Sequence, residues 1–206
     1  MNYYPKYLPP QDKPITLVEL GVYQGASMKL WGTRFTNRDT RIIGIDIDLS
    51  QVPKVKNPWP GKMWDLPENV ELWQADQADP DMIAQAHEVD VLIDDASHFS
   101  SKTIASFHVW WPVIKPGGMY VVEDTHCSYD VHHYGPRESG PPLALPSARI
   151  PRHPRLEKVT TMEFLKRLSD DVNWNYHGYD RFNPLYQDVG YVHFYPGITF
   201  IGKASK

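Results

Sequence analysis

Val89-Asp90-Val91-Leu92-Ile93-Asp94-Asp95-Ala96-Ser97-His98, followed by Pro116-Gly117-Gly118-Met119-Tyr120-Val121-Val122-Glu123-Asp124-Thr125-His126, is the stretch from which the fold can be read. Each half is a short apolar, β-branched run that stops abruptly at paired carboxylates and a histidine. Runs of that kind are buried strands, and a helix-like segment between them makes the pair parallel neighbours. Adjacent strands lie roughly 4.8 Å apart, so the acids at their carboxyl ends face one another across a short gap. Bare carboxylates that close repel, and the repulsion is relieved by a proton or by a cation between them. A divalent metal is the economical solution.

Working outward, the same strand–acid grammar recurs. Ile15 to Leu20 is a first buried strand, running into Gly21-Val22-Tyr23-Gln24-Gly25-Ala26-Ser27 and a helix through Met28, Leu30, Trp31 and Phe35. Arg41 to Asp46 is a second strand, residues 48–67 an irregular crossover, and Val70 to Ala75 a third strand closing on Asp76-Gln77. Asp79 is placed to cap a short helix with Pro80 at its first position. A helix over Ser101 to Ile114 is expected to stop at Pro116-Gly117-Gly118. Thr160 and Glu163 form a capping box for a later helix, and Tyr191–Tyr195 with Ile198–Ile201 reads as a closing β-hairpin around Pro196-Gly197. Strands alternating with helices predict an α/β, doubly wound Rossmann-like sheet, mostly parallel, with a C-terminal hairpin. In such a sheet ligands lie beyond the carboxyl ends of the strands, where the strand order reverses. Glu19, Asp46, Asp76, Asp95, Glu123 and Asp124 all fall at such ends.

Bulk properties narrow the classes. With 206 residues, 41% of them hydrophobic, one domain over residues 1–206 is the expectation. Residues 1–14, polar and Pro-rich, read as an N-terminal arm with little structure of its own. Residues 128–158, crowded with Pro, Arg, His and Gly, read as a lid over the acceptor pocket. A net charge of −4 gives no electrostatic case for nucleic acid or an anionic membrane. No run approaches the roughly 18 apolar residues of a membrane span, and the N-terminus lacks a secretion signal. A single cysteine, Cys127, permits no intramolecular disulfide and suits a reducing, cytoplasmic setting. Cys127 itself reads as a small buried hydrophobe.

Glu19-x-Gly21-x-x-x-Gly25 follows a strand and opens a helix, so it brings backbone close to a ligand. Its spacing departs from the G-x-G-x-x-G dinucleotide fingerprint. It suits a ligand without phosphates, such as S-adenosylmethionine, over Glu19, Gly21, Tyr23, Gly25 and Ser27. Asp46 is placed to accept from ribose hydroxyls, and Asp76 with Gln77 to meet the adenine edge. Asp94 faces the cofactor or orients its loop, and is not read as a metal ligand. A tight strand–helix turn is the alternative reading of the glycines alone.

Leu17 to Ser27 resembles the first motif of class I S-adenosylmethionine-dependent methyltransferases. Ile93 to His98, Pro116-Gly117-Gly118 and Val122-Glu123-Asp124 are similar to a narrower group, the metal-dependent sugar O-methyltransferases that tailor macrolides and related glycosylated antibiotics. That family usually reads D-D-G-S-H, and Ala96 in place of the glycine argues for an ordinary φ there. The resemblance implies Asp95, Glu123 and Asp124 as metal ligands and His98 as the base. Oxygen donors without cysteine favour Mg²⁺ ahead of Mn²⁺. It further implies a glycosylated small-molecule acceptor and a homo-oligomer. A catechol-like phenol is an alternative acceptor, since any vicinal diol can chelate the ion. A nicotinamide-dependent oxidoreductase, disfavoured by the glycine spacing, and a binding protein without turnover are the readings from other classes.

Overall fold

The computed structural model describes residues 3–54, 66–130, 159–173 and 184–205. Its centre is a seven-stranded sheet of β1 (Thr16–Leu20), β2 (Arg41–Asp46), β3 (Val70–Gln74), β4 (Val89–Asp94), β5 (Ile114–Glu123), β6 (Val189–Tyr195) and β7 (Ile198–Lys203), in the order β3-β2-β1-β4-β5-β7-β6. The first five strands are parallel, and β7 runs antiparallel between β5 and β6. The mostly parallel α/β sheet with its closing hairpin is therefore as expected. The chain leaves β1 toward β2 and β3, then returns to place β4 on the other side of β1. The strand order reverses between β1 and β4.

Helices α1 (Ala26–Arg34), α2 (Pro80–Ala86), α3 (Ser100–Trp110) and α4 (Thr161–Asp171) pack on the two faces. Alternation along each strand divides the core. Val18, Leu20, Leu92, Tyr120 and Val122 join Phe107, Trp110, Phe164 and Leu165 of α3 and α4 on one face. Leu17, Ile42, Val91, Ile93, Met119 and Val121 join Met28 and Trp31 of α1 on the other. Local signals account for the helix starts. Asp79 accepts from the Asp81 amide, and Thr160 with Glu163 forms the reciprocal box. Among the described residues no helix is long and apolar enough to cross a membrane.

Three expectations are corrected. The N-terminal segment is not a loose arm: Tyr4 opens a single 3₁₀ turn (Tyr4–Lys6), is 4% exposed, and lies edge-on to Trp31 and Phe200. Tyr7 stacks on Phe200 and hydrogen-bonds His193 and Tyr195. Next, α3 ends at Trp110, before Pro116-Gly117-Gly118, and a 3₁₀ turn over Trp111–Val113 follows. Pro112 at the start of that turn cannot donate to an α-helical ladder. Finally, Pro116-Gly117-Gly118 lies inside β5, whose pairing jumps from Val89↔Ile114 to Val91↔Met119. It is a bulge that holds extra residues on the β5 side. Of the irregular crossover, Leu49–Lys54 is a 3₁₀ stretch, and residues 55–65 lie outside the described residues. Of the expected lid, Ser128 and Tyr129 belong to a 3₁₀ turn (Thr125–Tyr129), and residues 131–158 lie outside the described residues.

Candidate active site

The carboxyl ends of β1, β4 and β5 converge at the point where strand order reverses. Leu20 pairs with Asp94 and Asp94 with Val122, so the loops after these strands start at one level. The Leu20 carbonyl accepts from the Asp95 amide at 2.9 Å, carrying the β1–β4 ladder one residue into the loop. Gly21 makes this possible. At φ +95°, a β-carbon there would stand 2.3 Å from the Asp95 carbonyl oxygen, well inside van der Waals contact. Gly21→Ala is accordingly expected to cost about 3 kcal/mol of stability, from the left-handed backbone and the clash together. Urea denaturation would check it, and a loss below about 1 kcal/mol would mean that the two loops separate easily.

Around this point stand the acids. Asp95, His98 and Asp124 each present a ligand atom within 4.8 Å of the others. His98 Nε2 lies 3.6 Å from Asp124 Oδ2, and His126 Nδ1, on a more exposed ring, 3.8 Å from Asp124 Oδ1. Both His98 (φ +57°) and Asp124 (φ +48°) adopt left-handed backbone, while Ala96 does not. Histidine and aspartate tolerate that region better than most residues, but it still costs of order 1 kcal/mol. Neighbouring elements hold the strained turn: the Thr125 amide donates to the Gly197 carbonyl at the hairpin tip, and the Met162 amide of α4 to Ser128 Oγ. Burial pushes the His98 imidazole below its ordinary range, with Asp124 pulling the other way, so a neutral ring able to accept a proton prevails at neutral pH.

Glu123, expected as a third carboxylate ligand, is not among the residues brought within that spacing; it lies near enough to act on the Asp95 charge, and its Oε1 accepts from the Tyr4 hydroxyl at 2.5 Å. Burial first, then Glu123, Asp124 and Asp94, raise the Asp95 carboxyl to about 7. Such a concentration of partly buried oxygen donors, with one imidazole and no thiol among them, fits a hard divalent cation.

The residues expected to hold a cofactor divide into two groups. Glu19, Gln77 and Asp94 are turned inward. Glu19 accepts from Ser27 Oγ and Trp31 Nε1, tying β1 to α1. Gln77 donates to Ser106 Oγ at 2.9 Å and to Asp94 Oδ1 at 3.4 Å, and Asp94 Oδ2 accepts from the Tyr120 hydroxyl at 2.9 Å. The second group stays at the strand ends and in the loops that follow them. Asp46 Oδ2 accepts from the Val22 and Tyr23 amides at 2.8 and 2.9 Å, which shapes the glycine loop from the end of β2. Gly25 at φ +79° starts α1, and Tyr23 is exposed. Asp76 meets Lys102 at 2.6 Å and accepts from the Ala78 amide.

Two residues were not anticipated. Tyr4 reaches the acids from the N-terminal segment. Ile47, 69% exposed, directly follows Asp46 at the end of β2, and Tyr23, also 69% exposed, lies three residues past the end of β1. Large apolar side chains left bare just past two adjacent strand ends suit the flat face of a ligand. An apolar residue directly after an acidic strand end was the available signal for Ile47.

The buried acids also set a pH dependence. Burial raises Glu19 to about 8 and Asp94 to about 7, beside Asp95 at about 7. A carboxyl that holds its proton more tightly when folded stabilises the fold at low pH, and that contribution is lost as pH rises through its folded value. The cation-free protein is therefore expected to lose stability between about pH 4.5 and 8. Scanning calorimetry in EDTA across that window would check it; a melting temperature that rises with pH would contradict it.

A family model described as "Methyltransferase domain" matches residues 18–125, a span from β1 to the turn after β5. Over 218 aligned residues the chain is 28% identical to the 8-demethyl-8-alpha-L-rhamnosyl tetracenomycin-C 2'-O-methyltransferase of Streptomyces olivaceus, covering 99% of this chain and 50% of that protein. It is 29% identical over 177 residues to the L-olivosyl-oleandolide 3-O-methyltransferase of Streptomyces antibioticus, covering 80% of this chain and 38% of that protein. Among solved structures it is similar in fold to the MycE methyltransferase from the mycinamycin biosynthetic pathway in complex with Mg and SAH. The TM-score is 0.71 at 23% identity, over 99% of this chain and 49% of that one. The chain thus spans about half the length of the curated relatives it matches, or less.

Proposed function

The chain belongs to the methyltransferase-domain family, and from that premise we propose that it moves the methyl group of S-adenosylmethionine to a sugar hydroxyl on a glycosylated small molecule, with a divalent cation at Asp95, Glu123 and Asp124. The observation that carries this reading is the Asp95–His98–Asp124 cluster at the tips of β4 and β5, beside the glycine loop of β1. The two Streptomyces relatives, named for rhamnosyl and olivosyl acceptors, support a sugar as the acceptor. Mg²⁺ is favoured ahead of Mn²⁺ because the proposed ligands are all carboxylates.

Each part of the site has a task in this reaction. Gly21 to Gly25, braced by Asp46, cradles the cofactor, and Tyr23 and Ile47 cover its apolar face. S-adenosylmethionine supplies an electrophilic methyl on sulfur. Asp95, Glu123 and Asp124 would hold a divalent cation, which would supply positive charge that lowers the pKa of a nearby hydroxyl. His98, neutral because it is half-buried, takes the hydroxyl proton at a ring nitrogen as the oxygen attacks. Asp124, 3.6 Å from that ring, then faces the imidazolium and stabilises it. The turn after β5, anchored to the hairpin tip and to α4, would hold the acceptor side of the site fixed, and such positioning contributes much of the acceleration.

A methyl-transfer assay with S-adenosylmethionine and Mg²⁺ against a panel of rhamnosylated and olivosylated polyketides and a panel of catechols tests the acceptor class. Turnover confined to glycosides is expected. Turnover confined to catechols would keep the chemistry and discard the sugar.

A further inference from the structure

We propose that Tyr4 is a positioning residue for Glu123, holding one carboxylate oxygen so that the other serves the cation. The proposal rests on the cation reading given above. Glu123 extends the β5 face that carries Met119 and Val121, the face against which the N-terminal segment packs. Tyr4 is seated there edge-on to Trp31 at 5.3 Å and to Phe200 at 5.5 Å, so α1 and β7 fix its ring from two sides. Its hydroxyl donates to Oε1 of Glu123 at 2.5 Å, and the Tyr4 side chain that carries it is buried. Trp31, which contacts the Tyr4 ring, also donates to Glu19. The N-terminal segment, α1, the end of β1 and the tip of β5 are thereby linked through two aromatic side chains. Partners of ligating carboxylates fix ligand orientation, and losing one commonly weakens metal binding 10- to 100-fold.

The test is a Mn²⁺ titration of the full chain with S-adenosylhomocysteine, with free Mn²⁺ followed by electron paramagnetic resonance. Tyr4→Phe keeps the ring and its packing, and is expected to raise the Mn²⁺ Kd about 10-fold while leaving S-adenosylhomocysteine affinity unchanged. In a Glu123→Gln background the same substitution should add nothing, because its effect passes through Glu123. Tyr7→Phe lies in the same segment but loses only the contacts with His193 and Tyr195, and should leave the Kd unchanged. Glu123→Asp draws the carboxylate back from Tyr4 and from the cation together, so it keeps the proposal falsifiable if Tyr4→Phe folds poorly; it should also weaken binding. An unchanged Kd in Tyr4→Phe or Glu123→Asp would overturn the proposal. So would an equal penalty in the Glu123→Gln background or in Tyr7→Phe. A parent chain that takes up no Mn²⁺ would overturn the cation reading and this inference together. Uptake that Glu123→Gln abolishes and Tyr4→Phe spares would overturn the role of Tyr4 alone.

Discussion

Replacing His98 by asparagine is expected to lower methyl transfer about 10²- to 10⁴-fold and to leave S-adenosylhomocysteine affinity within about twofold. The size follows from loss of a positioned base, and the insensitivity of binding from where His98 sits. It projects from the loop after β4 toward Asp124, whereas the glycine loop and Asp46 belong to β1 and β2. Asparagine is preferable to alanine because position 98 has φ +57°, a conformation that asparagine adopts more readily. A loss seen in His98→Ala alone would confuse missing chemistry with a relaxed loop. Single-turnover rates and calorimetry with S-adenosylhomocysteine give the two readouts. Full activity in His98→Asn would remove His98 as the base.

Asp124→Asn is the second large effect, and its sign should depend on the cation. Asparagine again tolerates the left-handed φ of +48°. Removing one carboxylate from the set is expected to weaken Mn²⁺ or Mg²⁺ binding by at least about 100-fold, and activity with it. Without cation the same change should stabilise the fold. Asp124 is among the charges that raise Asp95, so its removal lowers the repulsion that the closed site must tolerate. The gain should be greatest near pH 8, where Asp95 is ionised. Melting temperatures of both proteins, in EDTA and in Mg²⁺, would show the inversion. A variant less stable than its parent in EDTA at that pH would mean that Asp124 serves the turn rather than a charge.

The residues behind these predictions can be picked out because strand ends are legible in sequence. A β-branched run that breaks at an acid marks both a buried strand and its carboxyl end, so β1, β2, β4 and the tip of β5 were located within a residue or two. Short-range caps, Asp79 and the Thr160–Glu163 pair, were equally plain because each partner lies within a helical turn. What pattern could not supply was the direction of each polar side chain. Glu19, Gln77 and Asp94 stand at strand ends like the others, yet their partners lie inside: Ser27 and Trp31, Ser106, and Tyr120. Parity offered a hint for Glu19, which shares its face with Leu17. Tyr4 was hidden for a different reason. Its contact with Glu123 spans 119 residues, and a short Pro-rich segment carries no period that would announce a docking face. The bulge in β5 was hidden too, because Pro-Gly-Gly has the same composition whether it ends an element or sits within one.

The proposed chemistry requires one divalent cation between the tips of β4 and β5. Anomalous diffraction at the manganese edge, from a crystal grown with Mn²⁺ and S-adenosylhomocysteine, tests it most directly. The account predicts a single strong peak within about 2.3 Å of carboxylate oxygens of Asp95, Glu123 and Asp124. A crystal with S-adenosylhomocysteine bound and no anomalous density among those three residues would contradict it.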